Sequence, residues 1–396
     1  IDRGNDCIAC QIETYIELEG VNPKKRLEFL PYVSGNYVGS NDGNKISYDK
    51  PNFKAGLSAR YDLSSSTALD FTINPDFSQV EADVTRININ SPFAINYPER
   101  RPFFNEGNDI LSSYGDAVYT RSINNPIFAT KLVNQGSKQR VYFLTSYDKN
   151  TPYLVPGENR SYFGKGEESF GNIFRYQRTF ENGSNVGFLS TNRFYNEGGM
   201  GNMFGIDAKI RFNKTYNLDF QYGNSFSEEP NKDWISSSDI IEGKTVALDG
   251  EKFSGNALSI GLNKTSEHWS TTIDYHQLSP LFRADTGFVT QNNFREFSFQ
   301  QGYSNQRDKK VKTYFAKIGT EIRYNFNGKL KRVHIMPIYS MSFKNGFSFD
   351  YAYSYNAFEE YKGDEFKNFA SNYIGFRYTP NEKLSIFSRN LIGKTI

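Results

Sequence analysis

Two cysteines near the start of the chain are the residues with the clearest capacity for redox chemistry. Cys7 and Cys10 form a C-x-x-C motif, and the 396-residue sequence holds no other cysteine. A thioredoxin-like motif needs a helix N-terminus to activate its thiol, but no βαβ pattern follows here. A metal site would need two further ligands, and no histidine stands nearby in the sequence. The motif therefore favours a local disulfide between Cys7 and Cys10, typical of an oxidising compartment.

A group of carboxylates between positions 76 and 109 could in principle perform acid–base or metal chemistry. Its members are Asp76, Glu81, Asp83, Glu99, Glu106 and Asp109. Calcium prefers oxygen ligands, but no EF-hand loop or fixed aspartate repeat supports a calcium site. A glycosidase would need two carboxylates at a set separation, which the sequence does not define. Ion pairs with neighbouring arginines are the simpler interpretation, so we expect no catalytic residue, no metal and no cofactor.

The three histidines are poorly spaced for a shared site. His268 and His276 lie on one predicted strand at a separation of about 27 Å, and His334 belongs to a different strand. No Ser–His–Asp grouping, phosphate-binding glycine loop or H-E-x-x-H motif is present. The sequence therefore predicts a protein that is not an enzyme.

The elements that must position these residues are long alternating strands. Aromatic residues make up 16% of the chain, although apolar residues total only 37%. Between Phe347 and Ala357, Phe and Tyr alternate with small or polar residues. This period of two is typical of a sheet with one wet face and one apolar, aromatic-rich face. No run of 18 apolar residues occurs, so no transmembrane helix is predicted.

Two features favour a transmembrane barrel over a soluble sandwich. The alternating segments exceed the usual strand length of about 5–6 residues. Charges also recur in mid-strand, as at Asp207, Lys209 and Arg211, which is typical of a wet or plugged lumen. The near balance of 46 basic and 44 acidic residues argues against nucleic-acid binding. We predict an all-β fold: an antiparallel outer-membrane β-barrel of about 16–18 strands with an inserted plug or constriction.

The connections between the predicted strands alternate in length. Short turns collect on one side, at Asn182-Gly183 (a candidate type I′ turn), Asn213–Thr215, Thr265–Glu267, Asn345-Gly346 and Pro380–Glu382. Longer loops collect on the other, at Asn150–Glu168, Glu197–Gly201, Ser227–Glu251, Ser279–Asn293 and Phe358–Lys367. Asn305–Lys312 and Asn327-Gly328 break the rule. The asymmetry is that of periplasmic turns and extracellular loops.

Five stretches resemble a known family in the same order along the chain. They are NPDFSQVEAD (Asn74–Asp83), PERRPFFNEG (Pro98–Gly107), NPIFATKLV (Asn125–Val133), GSNVGFLSTNRF (Gly183–Phe194) and SPLFRADTGFV (Ser279–Val289). They are similar to the C-terminal barrel region, of unassigned function, of large Gram-negative outer-membrane proteins that begin with a carbohydrate-binding family 9-like sandwich. The resemblance implies an outer-membrane location and no established catalytic residue. It carries no sugar-binding role over to these residues, because the sandwich is absent from this chain.

The domain organisation that we predict has two parts. Residues 1–25 form a lead-in with the C-x-x-C motif, and residues 26–396 form the barrel. The sequence starts without a methionine, so we expect a mature or excised piece, with closing strands beyond Ile396.

The polar, proline-containing stretch Pro75–Ile110 interrupts the strands and is predicted to be the plug. Lipid-facing backbone must be paired in strands, so irregular chain at this point must lie in the lumen or at the rim. We expect Arg86, Arg100 and Arg101 to pair with lumen carboxylates. The residues expected to pack against the inner wall are Phe77, Phe93, Phe103 and Phe104. The alternative is a long external loop.

Three functions follow, in order of preference. The first is a non-enzymatic scaffold or subunit of an outer-membrane assembly, the second a gated channel for a small or glycan-derived solute, and the third a surface glycan-acting enzyme. The expected partners are outer-membrane lipid and lipopolysaccharide and envelope proteins, with a glycan as a further candidate and no nucleic acid.

Overall fold

The computed structural model describes most of the chain from residue 25 onward. The described residues are 25–37, 39–41, 43, 45–75, 98–305, 311–361 and 363–395. Several residues singled out above lie outside these ranges: Cys7, Cys10, Asp76, Phe77, Glu81, Asp83, Arg86 and Phe93. The disulfide and the roles of those residues in a plug therefore stay predictions.

Within the described ranges, seventeen strands form one large sheet, and the prediction was 16–18. They are β1 (Leu27–Asn36), β2 (Asn52–Ser64), β3 (Thr67–Ile73), β4 (Pro126–Gln135), β5 (Gln139–Asp148), β6 (Ser169–Thr179), β7 (Asn185–Tyr195), β8 (Met200–Phe212), β9 (Tyr216–Glu228), β10 (Lys252–Thr265), β11 (Trp269–Leu278), β12 (Phe294–Asn305), β13 (Val311–Tyr324), β14 (Leu330–Phe343), β15 (Phe347–Tyr361), β16 (Asp364–Asn381) and β17 (Leu384–Gly393). Each strand pairs antiparallel with the next along the chain. Within the part of the chain that the structure describes, no ladder joins β1 to β17.

The connections confirm the predicted asymmetry. One side holds the short connections 65–66, 136–138, 180–184, 213–215, 266–268, 306–310, 344–346 and 382–383. The other holds 37–51, 74–125, 149–168, 196–199, 229–251, 279–293, 325–329 and 362–363. We call these the short-turn side and the long-loop side. Every connection longer than five residues lies on the long-loop side.

Two predicted connections were wrong in detail. Phe358–Lys367 is mostly strand, because β15 continues to Tyr361 and β16 begins at Asp364. Asn182-Gly183 is not a type I′ turn, which requires positive φ at both central residues; among the residues of that turn only Gly183 has it, at 76°. That geometry occurs instead at Asn213 and Lys214, with φ of 51° and 55°.

The sheet has two faces of reversed polarity compared with a soluble protein. On β6–β9 the exposed face carries large apolar side chains: Phe170, Phe174, Val186, Phe188, Phe194, Phe204, Ile206, Ile210 and Phe226. The opposite face of the same strands buries charges, among them Arg175 (0% exposed), Arg193 and Asp207. Phe204, by contrast, is 43% exposed. Phenylalanines are therefore on the outside and arginines are covered.

Short strand pairs and helical turns lie on the long-loop side. The strand pairs are Gly39–Asn41 with Ile46–Tyr48, Pro152–Val155 with Tyr162–Lys165, Asn231–Lys232 with Leu248–Asp249, and Ile240–Ile241 with Lys244–Thr245. The helical pieces are α1 (Pro102–Asn105) and the 3-10 turns Asn108–Ala117 and Thr120–Ser122. None of the helices in the described ranges is long and apolar enough to cross a membrane.

Candidate functional site: the covered face of the sheet

Residues 98–123, which we call the inner segment, pack on the covered face of the sheet. The segment belongs to the connection between β3 and β4, so it enters from the long-loop side. Its Phe104, Ile110, Leu111 and Ile123 are buried in one apolar cluster with side chains of the sheet. The sheet contributes Val133, Tyr142, Leu144, Ile173, Leu189 and Met203, which lie on β4–β8. This part of the predicted plug region is therefore packed against the wall of the sheet.

Basic side chains of the wall bind the first half of the inner segment. Lys131 on β4 donates from Nζ to the carbonyl oxygens of Phe103 (2.6 Å) and Glu106 (3.2 Å). Arg60 on β2 forms a bidentate ion pair with the Glu106 carboxylate, with Nη2 at 2.8 Å from Oε1. The irregular backbone leaves carbonyl groups without ladder partners, and buried carbonyls must find donors elsewhere. Wall cations supply those donors.

Two arginines bind the second half of the inner segment. Arg175 on β6 donates from Nε to the Ile110 carbonyl oxygen (3.2 Å) and forms a bidentate pair with Asp207 on β8, at 2.5 and 2.9 Å. Arg193 on β7 donates to the Ser122 carbonyl (3.2 Å) and hydroxyl (3.0 Å) oxygens. Both guanidinium groups are almost fully buried. Charged hydrogen bonds of this kind are about twice as strong as neutral ones.

Arg101 is satisfied within the inner segment itself. Its guanidinium pairs with Glu99, with Nη2 2.7 Å from Oε2, and donates to the carbonyl oxygens of Ile123 (2.5 Å) and Thr120 (2.8 Å). It also stacks over the Phe104 ring at 4.1 Å. Arg101, which we expected to pair with a lumen carboxylate, thus pairs with the nearby Glu99 of the inner segment itself. The reason is that Glu99 is only two residues away and closes the turn before α1.

The other residues predicted in this segment differ in how deeply they are buried. Phe104 is fully buried, and Phe103 is partly buried against the same cluster and contacts Phe104 edge to face. Arg100 is exposed, and its backbone N–H donates to Glu99 at 3.0 Å. Asp109 forms an ion pair with Arg140 on β5, 2.5 Å apart.

The ionisation of Glu99 is coupled to the packing of the inner segment. Burial alone would raise the pKa of this carboxyl group, but hydrogen bonds from Arg101 and Thr120 outweigh it and lower the pKa below the ordinary 4.5. A carboxylate with a lowered pKa stabilises the packed state above its ordinary pKa. That stabilisation is lost as the pH falls through the lowered value.

Glu99→Gln is expected to loosen the inner segment at neutral pH by about 1.5–3 kcal/mol, the usual contribution of a hydrogen bond to a charged group. Hydrogen–deuterium exchange over residues 98–123 should be faster than in the native protein at pH 7, and the difference should shrink below about pH 4.5 as native Glu99 protonates. Glu181→Gln, in the exposed turn 180–184, is the matched control and should leave exchange unchanged. A difference independent of pH would contradict the role of the Glu99 charge.

A second connection, 279–293, packs beside the inner segment. Tyr119 N donates to the Thr286 carbonyl (2.9 Å), and Phe288 N donates to the Asp116 carbonyl (2.6 Å). A Cβ on Gly287 would lie 2.4 Å from the Asp116 oxygen, so only glycine permits this approach. Phe282 and Val289 join the apolar cluster. The connection between β11 and β12 thus contacts the inner segment, which packs on β4–β8. The sheet must therefore be strongly curved.

Two connections on the long-loop side, 149–168 and 229–251, share a second apolar core. Together with 279–293 we call them the cap. The core holds Tyr153, Val155, Tyr195, Ile235, Val246 and Leu248. Glu158 anchors the cap to distant strands, because its carboxylate accepts from Lys331 Nζ on β14 (2.6 Å) and Asn293 Nδ2 (2.5 Å). Residue 158 follows β5, so this contact spans nine strand positions of the sheet. The cap therefore reaches across this end of the covered face.

Two larger cavities remain on the covered side. One of about 300 Å³ lies between the inner segment and β8–β11, with Asp116, Gln221, Ser259 and His276 among its lining residues. The other, of about 540 Å³, lies at the short-turn side between Arg60, Glu106, Gln135 and the turn at 65–66. His268 and His334 are hydrogen-bonded elsewhere, to the Ser304 carbonyl and the Ser354 hydroxyl.

Several residues of this site escaped the sequence analysis. Lys131, Arg175 and Arg193 are isolated cations in alternating strands, and their partners are 25 to 71 positions away in sequence. The available signal was their position in the alternation of each strand. Arg175, for example, lies on the same face as Ile173 and on the opposite face from Phe174. The packing of 279–293 against the inner segment left no sequence signal that we recognised.

Comparisons with known proteins give a partial match. Residues 23–143 match a family described as a domain of unknown function, DUF5916. No curated protein matches the chain. The matched range contains three of the five stretches that carry the resemblance above, Asn74–Asp83, Pro98–Gly107 and Asn125–Val133.

Among solved structures, two similar chains show how loose the likeness is. Acinetobacter baumannii OccAB4 is 10% identical with a TM-score of 0.33, over 93% of this chain and 100% of that one. A mutant of the Pseudomonas aeruginosa ferric enterobactin receptor PfeA is 8% identical with a TM-score of 0.28, over 92% of this chain and 74% of that one. At these TM-scores and identities, the two structures do not establish a shared function. The chain is similar to a family of unknown function over residues 23–143.

Proposed function

We propose that this chain is an outer-membrane β-barrel that does not conduct in its resting state and serves as a scaffold or subunit of an outer-membrane assembly. The observation that carries the proposal is the reversed polarity of the sheet. A sheet that exposes phenylalanine along many strands and buries arginine on the other face suits lipid outside and a polar interior. In water, such an apolar surface would drive association.

The packing of the inner segment and the cap supports a scaffold over an open channel. The inner segment occupies the wall of β4–β8, and the cap covers the long-loop side. The segment is held in a specific position by Arg175, which is paired with Asp207, and by Arg193. We propose that the inner segment and the cap together block free diffusion through the lumen.

A gated channel is the second candidate, and one observation favours it. Side chains of β14 and β15 are nearly all partly exposed on both faces. The apolar cluster of the inner segment draws no buried residue from β12–β15 among the residues described. This part of the interior wall is thus left for water. Single-channel recording separates the candidates, because the scaffold requires silence from the intact protein and a steady open pore supports the channel.

The proposed setting follows from the outward face. Outer-membrane lipid and lipopolysaccharide would contact the exposed aromatic side chains, with the long loops extracellular and the short turns periplasmic. Envelope proteins are the proposed partners, and a glycan is a further one through association with a family 9-like carbohydrate-binding domain. We propose no catalytic role; surface glycan hydrolysis remains the last-ranked alternative.

Tyr351→Lys is expected to impair barrel stability by about 2–4 kcal/mol, the cost of a lysine facing lipid at the bilayer midplane. Tyr351 lies opposite Tyr339 in the β14–β15 register, whereas Asp350 accepts a hydrogen bond from Ser340 at 2.6 Å on the other face. Asp350→Lys on the adjacent residue is the control and should cost much less in a wet lumen. Urea titration in lipid vesicles measures both. Equal effects would mean that the aromatic face does not meet lipid.

A further inference from the structure

We propose that Glu229, Asp249 and Glu251 form a binding site for one calcium ion at the base of the cap. The three residues lie where β9 ends and β10 begins. The Glu229 N–H donates to the Glu251 carbonyl at 3.0 Å, and Asn231 pairs with Asp249. The antiparallel register therefore puts the three carboxylates on one face, opposite or diagonal to each other.

The geometry of the three carboxylates matches a single hard cation. One oxygen from each residue lies within 4.8 Å of the others. Three oxygens this close can share one cation, and calcium accepts an irregular set of oxygen ligands more readily than magnesium, which demands near-ideal octahedral geometry. A set of oxygen ligands without cysteine or histidine also favours calcium over zinc.

One oxygen of the Glu229 carboxylate has no hydrogen-bond partner among the described residues. The Glu229 side chain is fully buried, and its Oε1 pairs with Arg283 Nη1 at 2.6 Å. Its Oε2 is buried and has no hydrogen-bond donor. A buried charged oxygen without a donor is costly, and a bound cation would satisfy it.

The neighbouring cations do not balance the charge of the cluster. Arg283 pairs with Glu229, and Lys244 pairs with Glu251 at 3.2 Å. Thr245 donates to Asp249 from its hydroxyl and to Glu251 from its backbone N–H, both at 2.9 Å. Three carboxylates thus face two basic side chains, so the cluster keeps an excess of negative charge. Carboxylates placed opposite each other on paired strands repel. Calcium would remove the repulsion and complete its coordination with water.

The position of the site suggests what the ion does. Glu229 links the connection 229–251 to Arg283 in the connection 279–293, which packs on the inner segment. Calcium would fix the base of the cap to the end of the β9–β10 pair. The cap would then be more rigid with calcium than without it.

The test is calcium binding to the full chain in detergent micelles after chelator treatment, measured by isothermal titration calorimetry with CaCl₂ and, separately, MgCl₂. We expect one calcium per chain, with weaker magnesium binding. Asp249→Asn and Glu251→Gln should each lower calcium affinity about tenfold or more, because affinity follows ligand charge. Asp239→Asn is the matched control: it removes a charge from the same connection at a residue that binds Tyr162 instead, and should leave the affinity unchanged.

A second readout follows the cap itself. Calcium should slow proteolysis within 229–251 in the native protein and in Asp239→Asn, but not in Asp249→Asn. No calcium-dependent heat in the native protein would overturn the proposal. Undiminished affinity in both Asp249→Asn and Glu251→Gln would also overturn it, since the ion would then lie elsewhere.

Discussion

Replacing residues 75–124 with a short glycine–serine linker is expected to turn a silent barrel into a conducting one. The barrel should still assemble, because β3 and β4 are ladder neighbours with Ile73 opposite Phe128, so a tight turn can join them. The wall of β4–β8 would lose its apolar cover, and Lys131, Arg175 and Arg193 would lose partners in the inner segment. Water can replace those partners in a hydrated lumen, so we expect only a modest loss of stability.

Single-channel recording in a planar bilayer measures the effect. The intact protein should show almost no conductance, and the deletion should approach that of a wide pore. The matched control shortens the other long connection next to β2, between 39 and 48, whose strand pair is exposed. This control should fold and stay silent. A folded deletion that is also silent would mean that the cap alone closes the lumen, and an intact protein that conducts fully would mean that the inner segment blocks nothing.

Arg175→Met is expected to lower the free energy of unfolding by about 3–5 kcal/mol, the usual cost of breaking a buried ion pair. Arg175 is fully buried and bridges Asp207 to the Ile110 carbonyl oxygen of the inner segment. The substitution leaves the buried Asp207 carboxylate without its bidentate partner. Because the cost arises from that uncompensated charge, the double variant Arg175→Met, Asp207→Leu should recover most of the lost stability.

Urea unfolding in lipid vesicles, followed by tryptophan fluorescence, measures these changes. Lys232→Ala is the control, because Lys232 forms a partly exposed pair with Glu197 at 2.6 Å. Exposed pairs contribute only about 0–1 kcal/mol. If Arg175→Met costs no more than Lys232→Ala, Arg175 does not hold the inner segment. If the double variant is less stable than the single one, the cost does not come from the Asp207 charge.

The sequence by itself determined the strands, their two faces and the side on which the long connections lie. A strand's alternation is a local property, since successive side chains point to opposite faces whatever the rest of the chain does. That is why the alternation from Phe347 to Ala357 predicted β15. The charges that followed were mistaken for a loop. Arg332 in fact pairs with Glu359 across the β14–β15 ladder, at 2.7 Å, and so continues the strand.

The tertiary structure alone decided which charges meet. The sequence placed arginines and carboxylates together near the inner segment, and Arg101 indeed pairs with Glu99 only two residues away. The segment is bound to the sheet, however, by Lys131, Arg175 and Arg193. Their partners lie 25 to 71 positions away in the sequence. Such pairs depend on how the sheet curves and on where an irregular backbone exposes its carbonyl groups. Neither property is encoded in a period of two, so both had to come from the packed structure.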